Sequence, residues 1–379
     1  MIVAAFLKWV ETAKAQDRAR AANALARAYL KSSMAPPDRQ AAQLAMTYLL
    51  DDPAPQVRLA LAEVLAAAPQ APRAIMVCLA EDQPEIASLV ILQSPVLVDT
   101  DLVDIAGRGT LETRALIAAR PMVSVAVAAA LAEIGEGAEI EVLLENPNVA
   151  FTRWTLKRIA ERHGRSERVR SLLLDRDDLP ADVRQILVQF VADALAGSDL
   201  VRAAVGQRRI ERIAREASDS ATMAILASVL VDELPGLVEQ LRSAGRLTPA
   251  FLMHGLCAGR TDFFATALVA ISGMEERRVR SILATGRYHA VRALLEASGL
   301  TRDVSEIFVE AIMLWRNAIQ TPMGFELDHI AHRLLQQYRT RSDLSGSAAA
   351  LLDMVERLAI AEERRMARDY ATGLALTAA

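Results

Sequence analysis

The residue types able to do chemistry are sparse in this chain. The tightest constellation is Glu326-x-x-His329-x-x-His332, an acid and two imidazoles of the kinds that hold a transition metal. Helical steps of three bring neighbours together but do not keep all three members on one tight face. Glu-x-x-His is also half of a di-iron device, which needs a second copy that this sequence lacks. The segment reads as a polar helix face, and no metal or cofactor is expected. Gly107-Arg-Gly109 and Gly135-Glu-Gly137 lack the third glycine of a phosphate-binding loop and follow no strand pattern. There is no nucleophile elbow, no His-Glu-x-x-His and no cysteine pair at zinc spacing. His163, in Glu-Arg-His-Gly-Arg, reads as a cation at a helix end, and His254 and His289 read as satisfied core residues. Cys78 and Cys257, both in apolar contexts and far apart, read as buried thiols of a reducing cytosol. No catalytic residue is assigned.

Charge carries more information. Between Pro121 and Thr152 there is no Lys or Arg, while Glu133, Glu136, Glu139, Glu141 and Glu145 crowd together. Directly after come Arg153, Lys157, Arg158, Arg162, Arg165, Arg168 and Arg170. A second basic cluster holds Arg202, Arg208, Arg209, Arg212 and Arg215, and a third Arg277, Arg278, Arg280, Arg287 and Arg292. Solvated helix faces with i, i+4 pairs account for much of this. The functional reading is that neighbouring repeats align Arg153, Lys157, Arg158, Arg162, Arg165, Arg168, Arg208 and Arg212 into a stripe that grips an acidic peptide or a phosphate backbone. The net charge of −4 and the 4% of aromatic residues weigh against nucleic acid. Phe151 and Trp154, three apart, suit a core stripe better than a base-stacking platform.

The elements that must position these groups are helices. Apolar residues make up 53% of the 379, carried by alanine and leucine rather than by aromatic and β-branched types. That composition excludes an all-β fold, a disulfide scaffold and global disorder. Of the 43 basic residues, only Lys8, Lys14, Lys31 and Lys157 are lysines, which a GC-rich coding bias explains. Val57, Leu61, Val64 and Leu65 step at helical spacing after Pro53; Val183, Leu187, Phe190 and Val191 do so after Pro180. Acidic or amide turns holding a proline precede such runs: Asp51-Asp-Pro-Ala-Pro55, Glu81-Asp-Gln-Pro84, Glu145-Asn-Pro147 and Asp177-Asp-Leu-Pro180. The polar residue can cap a helix start where proline pre-sets the first turn. Anchors at Val57, Ile86, Val149 and Val183 lie 29, 63 and 34 residues apart, and a degenerate unit at 109–118 fills the middle gap. Two short helices cannot bury an apolar face alone, so units of about 30 residues must stack on one another.

Farther on, Gly259, Gly273, Gly286 and Gly299 recur every 13 or 14 residues, each closing a short apolar helix. Longer helices are predicted at 303–319, 326–340 and 347–370, with a frayed tail from Thr372. Phe308, Ile312 and Trp315, and Leu351, Val355 and Leu358, form stripes suited to a core or to self-association. The expected organisation is 1–196 in helical repeats, 197–345 in further hairpins of changed curvature, and 346–379 as terminal helix and tail. Ile2, Phe6, Trp9 and Ala13 make the amino terminus a first core helix, with no basic leader. No run approaches the ~18 apolar residues of a membrane span, and a cytoplasmic location is expected.

The unit exemplified by Asp52-Pro-Ala-Pro-Gln-Val-Arg58 resembles a HEAT repeat. In that family an Asp in the turn and an Arg six positions later form a ladder between repeats. Asp52/Arg58 and Asp178/Arg184 keep the spacing; Ser88 follows Asp82 instead, and Arg153 comes one step late after Asn146. More broadly the chain resembles a bacterial family of uncharacterised HEAT-like proteins, a domain of unknown function. The resemblance implies an all-α, HEAT-like α-solenoid and supplies no catalytic residue. The expected function is a non-catalytic scaffold or adaptor that binds a protein partner along a concave, charge-segregated face. The alternative is nucleic-acid binding through an arginine stripe.

Overall fold

Pro55 and Pro84 open helices Pro55–Leu65 and Pro84–Gln93, where a missing amide donor costs nothing. The polar residues before them fold the turn rather than cap the helix. Asp52 Oδ1 accepts from Ala54 N at 2.9 Å, Asp82 Oδ1 from Gln83 N at 2.7 Å, and Asn146 Oδ1 from Asn148 N at 3.1 Å. Side-chain capping falls to hydroxyls: Thr110, Ser124 and Thr152 each accept from the amide three residues on.

The computed structural model describes residue 6 and residues 8–320, 330–338 and 345–377. Among them the regular secondary structure is helical, and one isolated parallel bridge joins Val123 to Val149. The chain divides into two compact units, Met1–Leu179 and Pro180–Ala379. No described helix is long and apolar enough to cross a membrane.

In the first unit each helix packs on the next but one. Ala15–Lys31 lies against Pro55–Leu65, which lies against Pro84–Gln93, then Leu111–Ala118, Gly137–Glu145 and Glu167–Leu174 in turn. A second series runs through Asp99–Arg108, Val125–Ile134 and Arg153–His163. Small side chains sit in the packing layers: Ala22, Ala26, Ala62, Ala118, Ala128 and Ala160 are fully buried. Their size lets helix axes approach closely, which explains an alanine-rich, ring-poor composition.

In the second unit Ala181–Gly197 packs along Gln207–Ser228 and Leu234–Ser243. The expected change at residue 197 therefore falls inside this unit, because the helix before it and the helices after it share one core. Arg302–Gln320, Ile330–Tyr338 and Gly346–Thr377 pack on one another, and the first and last of these also meet Pro249–Cys257. The scarce aromatics gather here, with Phe264 stacked on Phe308 and Phe251 edge-on to Phe263, both at 5.7 Å. The two candidate self-association stripes are spent in this core: Phe308, Ile312, Leu351 and Val355 are buried, and Trp315 Nε1 donates to Leu256 O at 3.1 Å. Gly259, Gly273 and Gly299 adopt left-handed φ of +75°, +67° and +85°, whereas Gly286 ends its helix in an extended conformation. The terminal helix runs on to Thr377, through the tail expected to fray.

Candidate functional site

Arginine does two different jobs in the two units. In the first, it ties successive helix pairs together. Arg18, Arg58 and Arg114 are each the fourth residue of their helix, and each makes the same pair of connections. The first goes back to a carbonyl in the preceding turn: Ala13 O, Asp52 O and Gly109 O respectively. The second goes forward to a carboxylate at the start of the next-but-one helix. Arg18 holds Asp52 at 2.7 and 2.8 Å, Arg58 holds Asp82 at 2.6 and 2.9 Å, and Arg114 holds Glu139 at 2.7 Å. Arg170, fourth in Glu167–Leu174, keeps the backward half of the pattern through Gly164 O.

Asp52 and Arg58 thus take part in a ladder, but with partners other than each other's side chains. Asp178 and Arg184 do not: Asp178 is held by Arg176, two residues earlier, at 2.8 Å. Arg176 also covers the Phe151 ring at 4.6 Å. The repeated position of Arg18, Arg58 and Arg114 was the signal available in the sequence. It was masked because their partners lie 34, 24 and 25 residues away.

The ion pairs set the titration of their members. Arg18 holds Asp52 below the usual carboxylate range against the opposing effect of burial. Burial pushes Asp82 and Glu139 up, but hydrogen bonds from Arg58 and Arg114 and from backbone amides leave both lowered.

The sign segregation at 133–170 is cancelled in space. Arg158 meets Glu133 at 2.6 and 2.7 Å, Arg168 meets Glu145, and Arg162 donates to Ala132 O at 2.7 Å. Arg153, Lys157 and Arg165 are engaged as well. Acidic and basic runs sit on adjacent helices of the stack, so the apparent stripe is largely one side of a set of inter-helix pairs. Trp154 corrects the core-stripe reading, since it is 74% exposed on the open face of Arg153–His163.

Helix Gln207–Ser228 is different. Ile210, Ala214, Ser218, Thr222 and Ile225 are buried, and Arg208, Arg212 and Arg215 lie exposed between them at i, i+4 and i+7. Arg209 is exposed beside them. Among the described residues, one loose pair, Arg212 with Glu216 at 4.0 Å, is the only ion pair this row makes.

Farther along the same helix, Ser220, Met223, Ala224 and Ala227 line a cavity of about 690 Å³. His254, Cys257, Ala258 and Arg260 form another wall, with Ala331, Leu358 and Ala361 opposite. His254 is not a satisfied core residue. Burial pushes its imidazole below the usual value, partly countered by Asp219, which is itself paired with Arg246. His163 also departs from its expected role, because burial, then Arg162, lower its pKa and disfavour the helix-end cation. His289 is exposed against Tyr288. Cys78 is exposed and Cys257 half-buried, both as free thiols. Cys78 misses the core because Ile75, Met76, Leu79 and Ala80 occupy the inward face of its helix.

Glu326 and His329 lie outside the described residues; His332 Nε2 meets Glu363 at 2.8 Å. No group of three metal-ligating side chains occurs among the described residues.

Residues 86–345 match the family described as "Uncharacterised protein conserved in bacteria (DUF2336)". The chain belongs to this family. The match spans most of the chain and takes in helix Gln207–Ser228 and residues 220–331 of the cavity lining. No curated protein and no solved structure matches the chain.

Proposed function

We propose that the protein is a non-catalytic, HEAT-like α-solenoid adaptor that binds an acidic segment of a protein partner. The carrying observation is the exposed row Arg208, Arg212 and Arg215, backed by a helix whose other face is locked into the core. Arginines held at one-turn spacing match a run of carboxylates with little side-chain ordering left to do. The HEAT-like part of the reading is supported by next-but-one helix packing and by the recurring Arg–carboxylate ladder. Trp154, exposed beside Arg153, favours the alternative of nucleic-acid binding, because a free ring can stack on a base.

The test is fluorescence anisotropy of the full chain with a labelled oligoglutamate peptide and with a single-stranded oligonucleotide of equal charge. Binding of the peptide is expected, weakened at least tenfold by reversing Arg208, Arg212 and Arg215 to Glu. Reversing Arg158, Arg162 and Arg165 is expected to change it little. Oligonucleotide binding without peptide binding, or an unaffected triple variant, overturns the reading.

A further inference from the structure

Arg260 is the cation in the second unit that has no counter-ion. Its Nε is shut off from solvent and makes no hydrogen bond among the described residues. A buried donor left unpaired is costly, more so on a charged group, and natural structures rarely keep one without a use. Arg260 stands on the wall of the roughly 690 Å³ cavity, a size within the range of about 300–1,000 Å³ usual for small-molecule sites. The nearest acid to bear on this wall through His254, Asp219, is already engaged by Arg246 and cannot neutralise it.

The rest of the lining defines what would fit. Met223 and Leu358 offer apolar surface, and the small side chains of Ala224, Ala227 and Ala361 leave the space open. Neutral His254 and the Ser220 hydroxyl are the other polar groups. One guanidinium with a neutral imidazole suits a single negative charge better than a phosphate dianion, and its planar fork matches a carboxylate.

We propose that this cavity binds a small organic carboxylate, with the carboxylate on Arg260 and the apolar body against Met223, Leu358 and the alanines. This inference stands apart from the arginine row of the same helix, and either can fail alone.

Calorimetric titration of the full chain with decanoate, decanol and inorganic phosphate tests it. Decanoate is expected to bind one to one, with decanol at least tenfold weaker and phosphate not competing. Arg260→Met is expected to weaken decanoate at least tenfold. Ala224→Phe, which fills the space from an exposed helix position without touching Arg260, is expected to abolish binding. Each variant is checked for helical content by circular dichroism, and if Arg260→Met misfolds, Ala224→Phe decides. No binding of decanoate, equal binding of decanol, or unchanged affinity in the variants overturns the proposal. Competition by phosphate overturns the carboxylate assignment.

Discussion

Replacing Arg58 by methionine removes one rung of the ladder while keeping most of the side-chain volume. The Arg58 and Asp82 side chains are only 13% and 12% exposed, and the arginine also donates to Asp52 O. Hydrogen bonds to charged groups contribute about 1.5–3 kcal/mol, and stranding one partner of a fully buried pair costs about 3–5 kcal/mol. A nearly buried, bidentate pair should therefore lose about 2–4 kcal/mol. Arg158 holds Glu133 with the same geometry, yet those side chains are 44% and 58% exposed. There water screens the attraction and resolvates the survivor, so Arg158→Met should cost less than about 1 kcal/mol. The assay is urea unfolding of the full chain followed by circular dichroism, with midpoints and slopes compared because two compact units need not unfold together. Adding Asp82→Asn to Arg58→Met should recover part of the loss, since no charge is then left stranded. Equal costs for the two arginines, or a double variant that loses the sum, would refute burial as the determinant.

Two further outcomes follow from the same structure. Asp52, Asp82, Asp101, Glu133 and Glu139 are all held below their ordinary values, Asp101 and Glu133 chiefly by hydrogen bonds from Arg73 and Arg158. Their contribution is complete above the unfolded carboxylate range near pH ~4 and is lost as pH falls through the lowered folded values. Amide exchange of residues 15–174 should accelerate steeply, relative to intrinsic rates, below about pH 4; protection unchanged to pH 2.5 would sink the ladder account. Trp154→Ala should change the unfolding midpoint by less than about 0.5 kcal/mol, as for an open surface site. A loss of about 3–5 kcal/mol, the cost of truncating a core ring, would show that the side chain is buried after all.

Much of the architecture was legible along the chain. Prolines at helix starts, apolar residues at helical spacing and glycines at helix ends depend on local sterics and one face of burial, which a sequence displays directly. Pro55, Pro84 and Gly273 stand where such reasoning put them. The site was less legible. Arg158 and Arg168 read as one edge of a basic stripe, because linear distance hides that Glu133 and Glu145 lie on adjacent helices. The Phe308 and Ile312 stripe looked equally fit for a partner, since an apolar face does not state what covers it; Phe264 does.

By itself the sequence determined an all-helical chain built of short, closely packed elements, because helix propensity and 3.6-residue periodicity are local properties. Only the tertiary structure decided which charges are spent. Pairing across 24 to 34 residues consumes the arginines of the first unit, while the fold leaves Arg208, Arg212 and Arg215 facing water and Arg260 facing a cavity without a counter-ion. Coulomb energy depends on distance and burial in space, and neither quantity is written in the order of residues.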